Sequence, residues 1–232
     1  MQLLLSLISL TLVQAITPPI FGPVMTAPFH QNITIFGITF SNDVGFWYDS
    51  TTQPVGSSLY NHSKGQHDEL CTSIAGKEFS DEPCSLLASN DTWRYVIFPT
   101  SNPPLCCRYC NTTDYCGIIS PTWLQQNSTY QGVQTIAGRT CYGWEKTGGE
   151  QNYFWATNDT PQQPCSYYEG YPTFNVGMNL WNFTMDQYNA NPIPSSTFNV
   201  PSNMGCETMC KTSSLTYEER LRGYFIDGKR SL

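Results

Sequence analysis

The chain has 232 residues, a pI near 4.8 and a net charge of −7, with 12% charged and 14% aromatic residues. That length suits one large or two small domains with a real core, and the acidity excludes a phosphate-binding surface, because nucleic-acid binders cluster Lys and Arg. So few charges leave the surface short of solvating groups, which points to attached sugar.

Residues 1–15 (MQLLLSLISLTLVQA) read as a secretory signal peptide. Leu3 to Val13 is an apolar run of h-region length, and Val13-Gln14-Ala15 fits a small-residue cleavage site, although no Lys or Arg precedes the run. The run is too short to span a bilayer, which takes about 20 apolar residues. No later segment is apolar enough to do so, and no transmembrane segment is expected. The expected location is extracellular, or the lumen of the secretory–lysosomal pathway.

Residues 16–31 are rich in Pro and Gly and read as an extended lead-in. Residues 32–210 then read as one β domain. Strands are predicted at 32–40 (Ile33, Ile35, Ile38 and Phe40 alternate), 44–48, 93–98, 152–157 and 173–185, with a hairpin of 130–137 and 140–145 around Gly138-Arg139. Clusters of Pro, Gly, Asn, Ser and Asp between them are turn chemistry. No long 3.6-residue apolar period precedes residue 210. The fold class expected is all-β, with two stacked antiparallel sheets as a sandwich or half-barrel. Residues 211–232 form a charged tail: Lys211, Arg220, Arg222, Lys229 and Arg230 lie here, and Thr216 to Glu219 fits a capping box opening a short helix to about Tyr224. That charge reads as a solvated face or as a basic tail for an acidic partner.

Ten cysteines follow the signal peptide: Cys71, Cys84, Cys106, Cys107, Cys110, Cys116, Cys141, Cys165, Cys206 and Cys210. In an oxidising compartment they read as up to five disulfides whose connectivity spacing cannot decide. Cys106 and Cys107 are adjacent and should bond to different partners. The rival for the dense Cys106–Cys116 cluster is zinc. Sequons for N-glycosylation occur at Asn32, Asn61, Asn90, Asn111, Asn127, Asn158 and Asn182.

No catalytic residues are assigned. The histidines are His30, His62 and His67, and no Gly-x-Ser-x-Gly elbow, phosphate-binding loop or dinucleotide fingerprint is present. His62, His67, Asp68 and Glu69 could group as metal ligands, but nothing resembles a metal-binding helix motif, and no metal or cofactor is assigned. Aromatic side chains are the remaining signal. They either fill the core or line a gap between sheets that accepts an acyl chain. On strand alternation, the candidate lining residues are Tyr48, Tyr95, Phe98, Trp123, Trp144, Tyr153 and Phe174.

Phe46-Trp47-Tyr48-Asp49-Ser50-Thr51-Thr52-Gln53 resembles the early Tyr-Asp-x-x-x-Gln segment of the ependymin-related proteins. The run Gly138 to Trp144 (GRTCYGW) is similar to that family's strand ending in Trp. Tyr153, Thr157 and Pro164-Cys165-Ser166 follow in the family's order, and Pro194 to Cys206, with Phe198 and Pro201, resembles its terminal segment. Pro54, the Cys106–Cys116 cluster and the charged tail depart from the pattern. The resemblance implies two antiparallel sheets with a hydrophobic pocket like that of bacterial lipoprotein carriers. It also implies N-glycosylation, homodimers, and in some members Ca²⁺ binding and cell-matrix adhesion. The leading expectation is therefore a non-enzymatic protein binding a lipid or other hydrophobic small molecule. An adhesive extracellular protein, acting through matrix or a second copy, and a secreted hydrolase are the alternatives.

Overall fold

The computed structural model describes residues 16–35, 38–114, 116–147, 151–170 and 177–214. The expected signal peptide, the helix expected from Thr216, most of the basic tail and Phe174 lie outside these residues.

The strands are β1 (Val24–Thr26), β2 (Phe29–Ile35), β3 (Ile38–Asp49), β4 (Ser57–His62), β5 (Cys84–Ala88), β6 (Trp93–Phe98) and β7 (Leu105–Asn111). Beyond them come β8 (Ser128–Ile136), β9 (Arg139–Thr147), β10 (Gln151–Ala156), β11 (Pro164–Gly170) and β12 (Gly177–Phe183). All are antiparallel and form one hydrogen-bonded sheet in the order β7-β6-β5-β4-β3-β2-β12-β11-β10-β9-β8, with β1 alongside the end of β3. The all-β antiparallel class is thus what the chain adopts, but the strands are continuous and do not split into two stacked sheets.

The sheet curls. Arg94 on β6 and Glu169 on β11 line the same cavity of about 280 Å³. Laid flat, the six strand intervals between them would span roughly 29 Å, far wider than such a cavity. Strand twist accumulated over so many strands brings the two halves to face each other, a half-barrel with a concave and a convex face.

The elements differ from the sequence expectation where periodicity alone is ambiguous. Residues 32–40, read as one strand, are the end of β2 and the start of β3, a hairpin in which Ile35 pairs with Ile38. The alternation shifts from odd positions (33, 35) to even ones (38, 40) with Gly37 in the sequence between them, a break in phase that marks the turn and that the reading as one strand passed over. The lead-in is not merely extended: β1 and β2 both run along β3, interrupted at Ala27-Pro28, because Pro28 has no N–H for a ladder. The hairpin of β8 and β9 turns at Ala137-Gly138, one residue earlier than expected. Both have positive φ, 48° and 77°, as the two-residue hairpin turn with the twist of its strands requires.

All ten cysteines are paired: Cys71–Cys84, Cys106–Cys206, Cys107–Cys210, Cys110–Cys116 and Cys141–Cys165. Cys141–Cys165 ties β9 to β11 across β10. The adjacent Cys106 and Cys107 do bond to different partners, and strand geometry explains it. Neighbouring side chains on β7 point to opposite faces. Cys106 joins the convex cluster of Leu87, Tyr95, Ile97 and Phe198, while Cys107 joins the concave cluster of Leu86, Val96 and Phe98. Residues 206–210 therefore wrap around the edge of β7. The Arg108 N–H donates to the Thr208 carbonyl and the Cys210 N–H to the Arg108 carbonyl, both at 2.8 Å, which covers an otherwise open edge.

Candidate functional site

The concave face is floored by alternate residues of the central strands. Phe29, Val44, Phe46, Tyr48, Trp144, Phe154 and Phe183 are buried there as one apolar cluster. Two plugs lie over its flanks. One is the segment around α1 (Glu69–Thr72), which packs Cys71 and Ile74 over β5 and β6 and is stapled to β5 by Cys71–Cys84. Asp68 caps that short helix, its Oδ1 accepting from the N–H groups of Leu70 and Cys71 at 2.8 and 3.0 Å. The other plug joins Phe21 to Trp123 and Leu124. The Phe21 N–H donates to the Pro121 carbonyl at 3.0 Å, and Phe21 meets the Phe154 ring edge-on with centroids 4.9 Å apart. The Lys146 ammonium donates to the carbonyls of Trp123 and Gln126 and fixes the far end of this plug.

Between the plugs lies a groove with two compartments. The apolar one has a volume of about 280 Å³ and is walled by Phe46, Tyr48, Tyr60, Phe154, Tyr167 and Phe183, with Phe21, Met25, Ile119, Trp123 and Pro164 over it and Asn152 among the walls. Its rings pack face to face and edge to face: Phe46 on Tyr60 at 4.5 Å, Phe29 on Trp181 at 4.5 Å, Tyr167 on Trp181 at 4.7 Å. Tyr48 donates its hydroxyl to the Ile119 carbonyl at 2.7 Å, which holds the rim segment against the floor. Burial pushes the Tyr48 and Tyr60 phenols up to about 12, so both stay neutral O–H groups across the physiological range.

The second compartment, of similar volume, mixes polar and apolar side chains and is the more polar of the two. Gln31, Asn179, Asp68, Glu69, Arg94 and Glu169 line it, together with Ile33, Phe40, Leu70 and Phe79. Trp181 lines both compartments, and its ring lies 6.1 Å from that of Tyr60, so this pair marks the boundary. Beneath runs a buried amide ladder. Gln31 Nε2 donates to Asn179 Oδ1, and Asn42 Nδ2 donates to Gln31 Oε1, each at 3.2 Å. The same Asn42 amide lies 3.2 Å from His62 Nδ1, and its Oδ1 accepts from Ser63 Oγ and the Lys64 N–H. Both Asn42 protons are thus donated, which makes His62 Nδ1 the acceptor and places the ring proton on Nε2. That nitrogen is buried and lies 3.5 Å from Asp68 Oδ2, within ion-pair reach but without hydrogen-bond geometry. Burial holds the imidazole below its ordinary 6.5, outweighing the pull of Asp68.

Of the residues singled out by alternation, Tyr48 and Trp123 line the apolar compartment. Trp144 is buried in the same cluster without reaching the cavity, and Phe98 packs under the α1 plug. Tyr95 points to the convex face with Leu87 and Ile97. Residues 95 and 98 are three apart on β6, so they must face opposite sides. Tyr153 precedes the inward Phe154 and packs instead at a tilt against Tyr168 on the other face, at 5.6 Å. Phe174 is outside the described residues. Alternation did not find Phe46, Tyr60, Tyr167, Trp181 and Phe183. Their signal was the density of rings on β3 and β12, but only the pairing of β12 with β2 brings Trp181 to the middle of the groove.

Among the described residues no three His, Cys, Asp or Glu side chains gather to hold a metal ion. With the cysteines in disulfides, the dense Cys106–Cys116 cluster offers no thiolates to zinc. His30 is far from the groove, paired with Asp43 at 2.8 Å on the exposed convex side, and the His67 side chain lies outside the described part. No helix among the described residues is long and apolar enough to cross a membrane.

Neither a protein-family model nor a curated protein matches the chain. Three solved structures share features of its course. A DUF1329 family protein from Desulfovibrio piger is 9% identical, covering 77% of this chain and 90% of its own, with a TM-score of 0.40. A LolA superfamily protein from Nitrosomonas europaea is 9% identical over 80% and 93%, at 0.33. LprF from Mycobacterium bovis is 13% identical over 78% and 90%, at 0.36. Likeness at this level says nothing about a ligand.

Proposed function

We propose that this chain is a secreted, N-glycosylated, non-enzymatic protein that carries a hydrophobic ligand in the groove of its half-barrel, as a divergent relative of the ependymin-related proteins. The observation that supports it most is the ring-walled compartment of about 280 Å³. Counting a methylene as roughly the ~30 Å³ of one water, it has room for about nine. Burying nine methylenes is worth roughly 7 kcal/mol, equivalent to a Kd of about 10 μM at best, and ordering costs weaken binding from there.

Other features agree. Five disulfides suit an oxidising compartment. Asn61, Asn90, Asn127, Asn158 and Asn182 are exposed. Asn32, Asn61 and Asn182 each sit between two inward residues of a strand and so point to the convex face, where glycans would leave the groove open. Of the positions carrying the family resemblance, Tyr48, Trp144, Cys165, Phe198 and Cys206 are buried, and Asp49, Tyr153 and Pro201 are half-buried.

The test is displacement of N-phenyl-1-naphthylamine, a neutral apolar dye, by decanol, on wild type and Ile119→Trp. Ile119 sits at the rim and is 41% exposed, so a larger ring there closes the entry without disturbing the core. The expected result is saturable dye binding, displaced by decanol and weakened at least tenfold in I119W at unchanged Tm. Absence of saturable binding, or equal binding by a folded I119W, would overturn the reading.

A further inference from the structure

We infer that the ligand carries an uncharged acceptor oxygen, the carbonyl of a ketone or an ester, and that the Tyr60 hydroxyl donates to it where the apolar compartment meets the more polar one. The inference rests on the carrier reading above and adds the class of ligand and the residue that selects it.

Tyr60 stands on β4, paired with Phe46 on β3 and Leu86 on β5. Its ring stacks on that of Phe46 at 4.5 Å and lies 6.1 Å from Trp181, the side chain that both compartments share. Those contacts fix the ring and leave its hydroxyl without a partner: among the described residues nothing donates to that oxygen or accepts from it. Protein surrounds the side chain, and the part that stays open is the wall it gives to the apolar compartment. Burial pushes the phenol up to about 12, so it keeps its proton and offers it. A phenol withdrawn from water without a partner is unfavourable, and an acceptor brought by the ligand removes that cost.

The other polar side chains of the wall are engaged. Tyr48 donates to the Ile119 carbonyl at 2.7 Å, the Tyr167 hydroxyl donates to Asn152 Oδ1, and Trp181 Nε1 donates to Asn179 Oδ1 at 2.9 Å. No side chain lining the compartment is charged. A carboxylate, phosphate or ammonium inside it would lack a counter-ion. A pure hydrocarbon would leave the Tyr60 proton unpaired. An alcohol accepts the same bond but brings a second proton to be placed, and a carbonyl brings none.

The experiment compares nonan-2-one with nonane, each displacing N-phenyl-1-naphthylamine from the full chain at pH 7.4. Tyr60→Phe removes one oxygen and keeps the stack on Phe46. It is expected to weaken displacement by the ketone at least about threefold, to leave nonane unchanged, and not to lower Tm, since the hydroxyl has no partner to lose. Tyr48→Phe removes a hydroxyl that holds the rim, and should lower Tm and move both ligands by the same factor. On wild type alone, the infrared C=O stretch of bound nonan-2-one should lie below its frequency in hexane. Equal weakening of both ligands in Y60F, a drop in its Tm, or a hexane-like stretch in wild type would overturn the inference and leave the carrier reading standing. Failure of nonane, nonan-2-one and decanol alike to displace the dye would remove both.

Discussion

At the scale of single residues, the groove depends on which parity of each strand faces inward. Alternation reveals that a strand has two faces but not which one lines a cavity. Tyr153 and Phe154 make the point: both are aromatic neighbours on β10, and only the pairing of Phe154 with Trp144 and Tyr167 decides that 154 is the inward one. Trp181 was equally hidden, because its importance comes from partners more than a hundred residues away, Phe29 on β2 and Tyr60 on β4. The buried His62 carries a consequence that acid exposes. Protonating it would put a second ring N–H against the Asn42 amide, which already donates to Nδ1. The folded chain holds His62 below 6.5, so between that value and the folded one the unfolded chain binds more protons. Stability is therefore full above pH 6.5 and lost as pH falls. One such group is worth about 1.4 kcal/mol per pH unit, or roughly 4 °C in Tm for a chain of this size. Scanning calorimetry at pH 7.5 and 5.5 should show His62→Gln losing less Tm than wild type over that interval. Equal losses in the two proteins would refute the assignment.

At the scale of elements, legibility followed residue type rather than burial. β3, β6 and the β8–β9 hairpin show β-branched and aromatic residues and were legible, although β6 is buried on both faces. β5 and β7 are built mainly from Cys, Leu, Ser and Ala or Arg and carry no β-branched residue. They read as short runs of Cys and Leu with no period. The cysteine count was readable and the pairing was not, because it depends on the wrap around β7. That wrap makes a measurable claim. Cys106–Cys206 and Cys107–Cys210 span 100 and 103 residues, but once either is closed the other adds only a loop of a few residues. Chain entropy then gives about 2 kcal/mol for removing one bridge and about 7 for removing both. Chemical denaturation of Cys106→Ala/Cys206→Ala, Cys107→Ala/Cys210→Ala and the quadruple variant should show this non-additivity. Losses that simply add would contradict the shared-loop geometry.

At the scale of the whole molecule, a single long sheet curled on itself has one face filled by the plugs and the central rings and another that carries the strand sequons. The half-barrel was within the sequence expectation. Its continuity was not, because it requires β12 to sit between β2 and β11 and so join the N-terminal and C-terminal halves of the domain. That join creates the groove, with the apolar compartment toward β10 and the polar one toward α1. The carrier reading therefore places the ligand on the concave face. Photolabelling with a diazirine-bearing decyl alcohol, followed by peptide mapping, reads this directly. The label is expected on peptides holding Phe46, Phe154, Tyr167 and Trp181, with decanol competing it away. Label confined to residues 193–206 or to the convex side of β5 and β6, or label that decanol does not reduce, would contradict the account.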